Sequence, residues 1–405
     1  MLTVDQALAA ILDHVVQPGV SWQPLQDCLH LVLARDLTTP HDSPPFDKAM
    51  MDGFAVASAG FDLGRTRTLP ILETITAGVV PRHTIGPDSA SRIMTGALIP
   101  SGADCVVPIE QTQFDEAAPQ TVMVAADVVS ADRNILRQGV SAQAGTPLMN
   151  AGTRLEPQHI AVLAEFGVAE VPVHRPATVA VLATGDELLP IDQPLTPGRI
   201  RNSNEPMLVS QIQRANAVAV PLGVARDDRA ELRDFICRGL KQDILLLSGG
   251  VSAGTLDLVP SELATAGVSQ VFHRIQMKPG KPLWFGRLQQ DDHTCLVFGL
   301  PGNPVSSMVC FELFVRTALR RFSGLSDSAP RMVPAILTQD LMVKGDRVTY
   351  FPCRLNLTAT GLEATPVPWG GSADLRSTAD ANGMCVLHPQ TSGHQAGQQV
   401  EAILW

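Results

Sequence analysis

The strongest constraint on how this chain folds is a recurrence between Pro176 and Leu325, where three short apolar runs are each closed by a glycine turn. Val179-Ala180-Val181-Leu182 leads to Thr184-Gly185, and Ile244-Leu245-Leu246-Leu247 leads to Ser248-Gly249-Gly250. Cys295-Leu296-Val297-Phe298 leads to Gly299-Leu300-Pro301-Gly302. Continuous apolar runs of this length suit strands buried on both faces. Helical spacings follow these runs, at about 205–215, 228–240 and 305–321. Buried strands alternating with helices predict a doubly wound α/β domain, whose ligands bind outside the carboxyl ends of the strands.

The remaining chain has a different texture. Thr3-Val4-Asp5-Gln6 has capping-box spacing, and Val4, Ala7, Leu8, Ile11, Leu12 and Val15 predict an amphipathic helix ending near Pro18-Gly19. Short β-rich runs fill Thr38 to about Val140, among them Cys105-Val106-Val107 and Thr121-Val122-Met123-Val124. Ile160, Leu163, Ala164 and Phe166 mark a second helix, and from about Ser326 short β-like stretches return. With 405 residues, 32 glycines and 31 prolines, the chain is expected to be multidomain, α/β plus β. The expected parts are a linker domain (1–42 and 143–175), a β-rich inserted lobe (43–142), the α/β domain (176–325) and a C-terminal β-domain (326–405).

Composition excludes several partners. A net charge of -10 and an aromatic content of 4% argue against nucleic acid held by bulk charge or by stacking. The seven cysteines are scattered and form no CxxC pair, which disfavours a disulfide framework or structural zinc and suits a reducing, cytoplasmic setting. The first residues carry no basic, apolar leader, and the longest uncharged stretch, Thr294 to Phe311, is broken by Pro301 and Pro304; neither a signal peptide nor a membrane span is expected.

Chemistry concentrates at the glycine turns. Asn303 and Pro304 read as the cap and first residue of a helix, whose amino end can receive an anion or can simply be well capped. Arg274-Ile275-Gln276-Met277-Lys278-Pro279-Gly280-Lys281-Pro282 sets three cations on a stiff backbone, suited to an oxyanion or to solvent. Acids stand at the other strand ends: Asp186, Glu187 and Asp257, with Asp227 and Asp228 as weaker candidates. Asp228 with Glu231 reads as a helix cap. Cations and carboxylates together suit a phosphate ligand that brings a divalent metal. Asp52-Gly53 alone reads as a hairpin turn, and Arg92–Ala97 as a strand entering a turn.

Eight segments in one order carry a resemblance: PPFDKAMMDGFAV, RIMTGALIPSGADCVVPIE, AGTRL, TGDEL, SGGVSAGTLD, KPGKP, GLPGNPVSS and GGSADLRSTADANG. Together they resemble the molybdopterin molybdenumtransferase family, the MoeA proteins and gephyrin E-domains. The resemblance implies a homodimer with active sites shared between subunits. It also implies insertion of molybdate into the dithiolene of adenylylated molybdopterin, with release of AMP, and a possible adenylyltransferase partner. By the same resemblance, Lys278, Lys281 and Ser306 hold the oxyanion, with Arg354 and Ser372 completing the pocket and Ser377 a rival for Ser372. Gly249, Gly250, Pro301, Gly302 and Pro304 carry the pterin phosphate and AMP. Ser252 and Asp257 lie at the adenylate, and Glu187 with Asp227 suits Mg²⁺. Asp52 and Thr95 are carried toward the partner's site. Val140 and Ser141 stand where the family usually has an acidic pair, and this departure favours the other reading, a non-catalytic binding or scaffolding member.

Overall fold

The computed structural model describes residues 1–250, 258–290, 293–343, 345–389 and 393–405. The chain forms two compact units: one of Met1–Arg35, Gly152–Ala161 and Ala169–Trp405, the other of Asp36–Ala151 and Val162–Val168.

Helix α1 (Val4–Leu12) has the expected capping box, with the Gln6 amide donating to Thr3 Oγ1 and the Thr3 amide donating to the Gln6 side chain. It stops well short of Pro18. The His14 amide turns back to Ile11 while the His14 ring bonds the Ala10 carbonyl at 2.7 Å, taking the acceptor that another helical turn would use. The second helical pattern is α2 (Pro157–Glu165).

The α/β domain holds a six-stranded sheet of β1 (Thr178–Thr184), β2 (Val218–Ala225), β3 (Ile244–Ser248), β4 (Ser269–His273), β5 (Trp284–Gln290) and β6 (His293–Leu300). The spatial order is β2-β1-β3-β6-β5-β4; the first four strands are parallel, and β5 and β4 add antiparallel. Strand periodicity divides the core. Val179, Val181, Ile244, Leu246 and Phe298 face the layer built from α1, α3 (Asn204–Arg214) and the chain after Pro304. Ala180, Leu182, Leu245, Leu247 and Val297 face α4 (Arg229–Gly239) and α5 (Val259–Thr265). Because β2 and β3 flank β1 on opposite sides, the topological switch point falls between β1 and β3.

The helix expected over 305–321 is interrupted. It comprises α6 (Pro304–Cys310), a π turn (Phe311–Val315) and α7 (Arg316–Phe322). The π turn contains Glu312, whose side chain is fully buried against Gln211 at 2.6 Å, Arg316 at 2.9 Å and Arg214. A buried carboxylate needs these partners, and a widened turn lets it reach them.

The C-terminal strands close on themselves. Val348–Thr358 pairs with both Gly361–Pro366 and Gly383–Leu387, and the ring continues through Met332–Leu337 and Gln399–Leu404. This five-membered β-barrel leaves those strands without free edges. Met277–Lys278 joins it in parallel, with Lys278 beside Thr349. All seven cysteines are unpaired.

In the other unit, a six-stranded sheet carries Gly53–Val56 between Ala90–Ile93 and Cys105–Pro108. Asp52-Gly53 is therefore a strand entrance and not a hairpin turn. Any Cβ at Gly53 would run into the Val107 carbonyl, so glycine is required by the closeness of the neighbouring strand.

Candidate functional site

The switch point opens into a cleft of about 750 Å³ at the carboxyl ends of β1, β3 and β6. Thr184, Gly185 and Glu187 line it after β1, Ser248, Gly249 and Gly250 after β3, and Pro301, Gly302 and Pro304 after β6; Asp227 follows β2. Ala373 and Leu375 complete the wall. The fold thus gathers Glu187, Asp227, Gly249, Gly250, Pro301, Gly302 and Pro304 into one place.

The glycines are there for contact. Gly249 and Gly250 have φ of 94° and 64°, and a Cβ at Gly249 would stand 2.8 Å from the Thr184 carbonyl oxygen. A side chain is excluded on both conformational and steric grounds, leaving backbone open to a ligand. Gly185, at φ 143°, lies under the carboxylate of Glu187, which folds back over it.

Asn303 caps no helix through its side chain. Its Nδ2 donates to Ser372 Oγ at 2.9 Å, and the Val305 amide donates to the Ser372 carbonyl at 3.1 Å. The glycine-rich segment around Ser372 therefore consumes an amide of the helix start, and Ser306, in the first turn of that helix, is buried. Asp374 orders that segment by accepting from the Gly370 amide at 2.8 Å and from the Ser377 amide, bonds that hold its carboxyl below the ordinary range. Asp228 does cap α4, accepting from the amides of Ala230 and Glu231.

Lys278 is half-buried and Lys281 exposed, on the segment that reaches the cleft at Pro282. Neither has a carboxylate within ion-pair distance among the described residues. Arg354 is exposed on its barrel strand, opposite Thr365, and is not among the cleft-lining residues. Ser252 and Asp257 lie outside the described residues. Asp52 and Thr95 lie in the other unit, where the Thr95 amide and hydroxyl both donate to Asp52 Oδ1, at 2.7 and 2.6 Å. These two bonds, aided by Arg92, hold the Asp52 carboxyl below its ordinary range.

Sequence reasoning missed Asn204 and Thr184. Asn204 Nδ2 donates to Ser248 Oγ at 2.7 Å and to the Gly302 carbonyl at 2.8 Å, tying the turn after β3 to the turn after β6. Its Oδ1 and Thr184 Oγ1 are buried without a partner among the described residues. Both residues line the cleft. The available signal was the run Asn202-Ser203-Asn204-Glu205, a helix start; the Glu205 amide donates to Asn202 Oδ1, and Asn202 Nδ2 donates to the Glu205 carboxylate.

Fold and cleft define a doubly wound α/β protein with a ligand-sized cleft at its switch point. Three family models match: "MoeA N-terminal region (domain I and II)" over residues 2–167, "Probable molybdopterin binding domain" over 180–321, and "MoeA C-terminal region (domain IV)" over 334–405. A molybdopterin molybdenumtransferase of Bacillus subtilis is 35% identical over 410 residues, covering 100% of this chain and 94% of the relative. One from Staphylococcus epidermidis is 32% identical over 408 residues, covering 100% and 95%. Among solved structures, a molybdopterin biosynthesis MoeA protein from Pyrococcus horikoshii matches with a TM-score of 0.84 at 28% identity, covering 100% of this chain and 99% of that one. The chain belongs to the MoeA family, with its α/β molybdopterin-binding and C-terminal β-barrel domains.

Proposed function

We propose that this chain inserts molybdate into the dithiolene of adenylylated molybdopterin and releases AMP. Its family membership makes it a transferase of molybdenum cofactor biosynthesis. The observation that carries the finer reading is the cleft itself. Two backbone-exposing glycine turns meet a pair of carboxylates, and the nearby lysines have no carboxylate partner among the described residues.

A phosphoanhydride fits across Gly249-Gly250, where side chains are excluded, and the facing Pro301-Gly302 turn. Lys278 and Lys281 are the cations for the molybdate dianion, with Ser306, Arg354 and Ser372 as further candidates from the sequence resemblance. Glu187 and Asp227 suit Mg²⁺, which takes one or two carboxylates and fills its remaining positions with water and substrate phosphate. When bound there, Mg²⁺ supplies charge neutralisation at the phosphate oxygens. Asp257 is assigned the support of phosphoanhydride cleavage, again by resemblance. Thr95 fixes and further stabilises the Asp52 carboxylate, the group that a partner's site in a homodimer would receive. A cytoplasmic setting and an adenylyltransferase that supplies the substrate belong to the same proposal. No helix among the described residues is long and apolar enough to cross a membrane.

The test is AMP release from adenylylated molybdopterin by purified protein with molybdate and Mg²⁺. AMP release that stops on chelation supports the proposal. Bound pterin without AMP release overturns it in favour of a binding or scaffolding member, the reading that Ser141 favours. Lys278→Ala and Lys281→Ala should each raise the molybdate concentration needed for half-maximal rate more than they weaken pterin binding. Equal losses would remove the assigned division of labour.

A further inference from the structure

The opposite end of the α/β sheet carries a second polar pocket, of about 200 Å³. It is framed by Pro176-Ala177 before β1, Asn216-Ala217 before β2, and the ends of α3 and α7. Five arginines line it: Arg154, Arg175, Arg214, Arg316 and Arg320. In a chain of net charge -10, such crowding calls for a physical reason.

Three of the five have close carboxylate partners. Arg175 grips Asp243 with two bonds of 2.7 Å, and Arg214 and Arg316 share Glu312. Arg154 and Arg320 do not. Arg154 reaches Glu156 only at 3.5 Å, and Arg320 reaches Asp327 only at 3.9 Å, with the Asp327 side chain 79% exposed. Arg320 also donates to the Asp327 backbone carbonyl. Its Nε is buried and has no partner among the described residues. Burial, together with the charges of Arg316, Arg154 and Arg331, pushes Arg320 below the ordinary arginine range, opposed only by Asp327.

Carboxyl ends of helices favour cations, and this accounts for one arginine at each of α3 and α7. It does not account for a desolvated guanidinium N–H left unsatisfied beside three more positive charges. We propose that this pocket is a binding site for a small tetrahedral oxyanion of the phosphate class, held by Arg320 and Arg154. Guanidinium groups match the oxygen spacing of such an anion and gain most where water is scarce. The site lies at the amino ends of the strands, whereas the cleft lies at their carboxyl ends, and it does not depend on the reaction assigned to the cleft.

The experiment is calorimetric titration of the full chain with inorganic phosphate, sulfate and molybdate, against chloride at equal ionic strength. To remove binding at the cleft, the titrations are repeated in a Lys278→Ala background. The expected result is saturable binding that persists in that background and weakens at least tenfold in Arg320→Gln. Arg154→Gln should weaken it about fivefold, and it serves if Arg320→Gln does not fold. Binding by molybdate alone, lost in Arg320→Gln, would support the site and name its ligand. Heats no greater than those of chloride, or affinity unchanged in a folded arginine variant, would overturn the proposal.

Discussion

Asn204 offers a sharp test of how the cleft is held open. Replacing it with alanine removes two donors, one to Ser248 Oγ at 2.7 Å and one to the Gly302 carbonyl at 2.8 Å. A net hydrogen bond contributes about 1 kcal/mol, so their loss is worth about 2 kcal/mol at most. Gly302 is exposed, and water can replace part of its bond. That leaves about 1 to 2 kcal/mol of lost preorganisation, or about five- to thirtyfold in affinity. The glycine turns would no longer be fixed at the spacing a bound nucleotide needs. AMP binding by titration calorimetry and kcat/KM for AMP release should fall together, while the midpoint of thermal unfolding stays within a few degrees. Asn204→Asp should be worse, because it loses both donors and sets a carboxylate beside the Gly302 carbonyl. An Asn204→Ala protein binding AMP within twofold of wild type would refute the reasoning.

Two further outcomes follow from named contacts. Asp243 is 6% exposed and accepts from both Arg175 guanidinium nitrogens and from the Thr178 amide and hydroxyl. Although burial opposes its charge, these bonds prevail and depress its carboxyl. Its stabilisation is therefore present above the unfolded value of about 3.9 and is lost as pH falls through the lower folded value. Asp243→Asn should cost about 2 kcal/mol at pH 7, read as hydrogen-exchange protection in β1 and β3, because Arg175 stays half-exposed and solvent offsets part of the loss; an undiminished gap at strongly acid pH would contradict this. Thr95→Val removes the hydroxyl bond to Asp52, so the Asp52 carboxyl should titrate closer to the ordinary value of about 3.9, seen by NMR of its side-chain carbon; an unchanged titration would assign the shift to the Thr95 amide and Arg92 alone.

Much of the α/β domain was legible because its signals are local. Four-residue apolar runs and glycine turns fix the buried strands, and the alternation of Val179, Ala180, Val181 and Leu182 divides them between two helix layers. What the pattern cannot carry is long-range partnership. Glu312 sits at a helical spacing, yet its pairing with Gln211 and Arg214, far back in the chain, accompanies a π turn that periodicity does not announce. Asn303 has the composition of a cap, but Ser372 claims its side chain from the next domain. The barrel closes through pairing of Val348–Thr358 with Gly383–Leu387, which no local run encodes. The cleft was readable as glycines and acids at strand ends. Its cross-tie, Asn204, was hidden within an ordinary helix start.

The joining of Met277–Lys278 to the barrel has a consequence for how the molecule can be divided. The backbone of Lys278 is laid along a barrel strand, whereas four residues later Pro282 borders the cleft. One short peptide thus belongs to two structures, and the barrel acts as a splint for the backbone that carries Lys278. A fragment trimmed to the α/β sheet alone would keep the glycine turns and the buried Met277, while Lys278 would lose its pairing with Thr349.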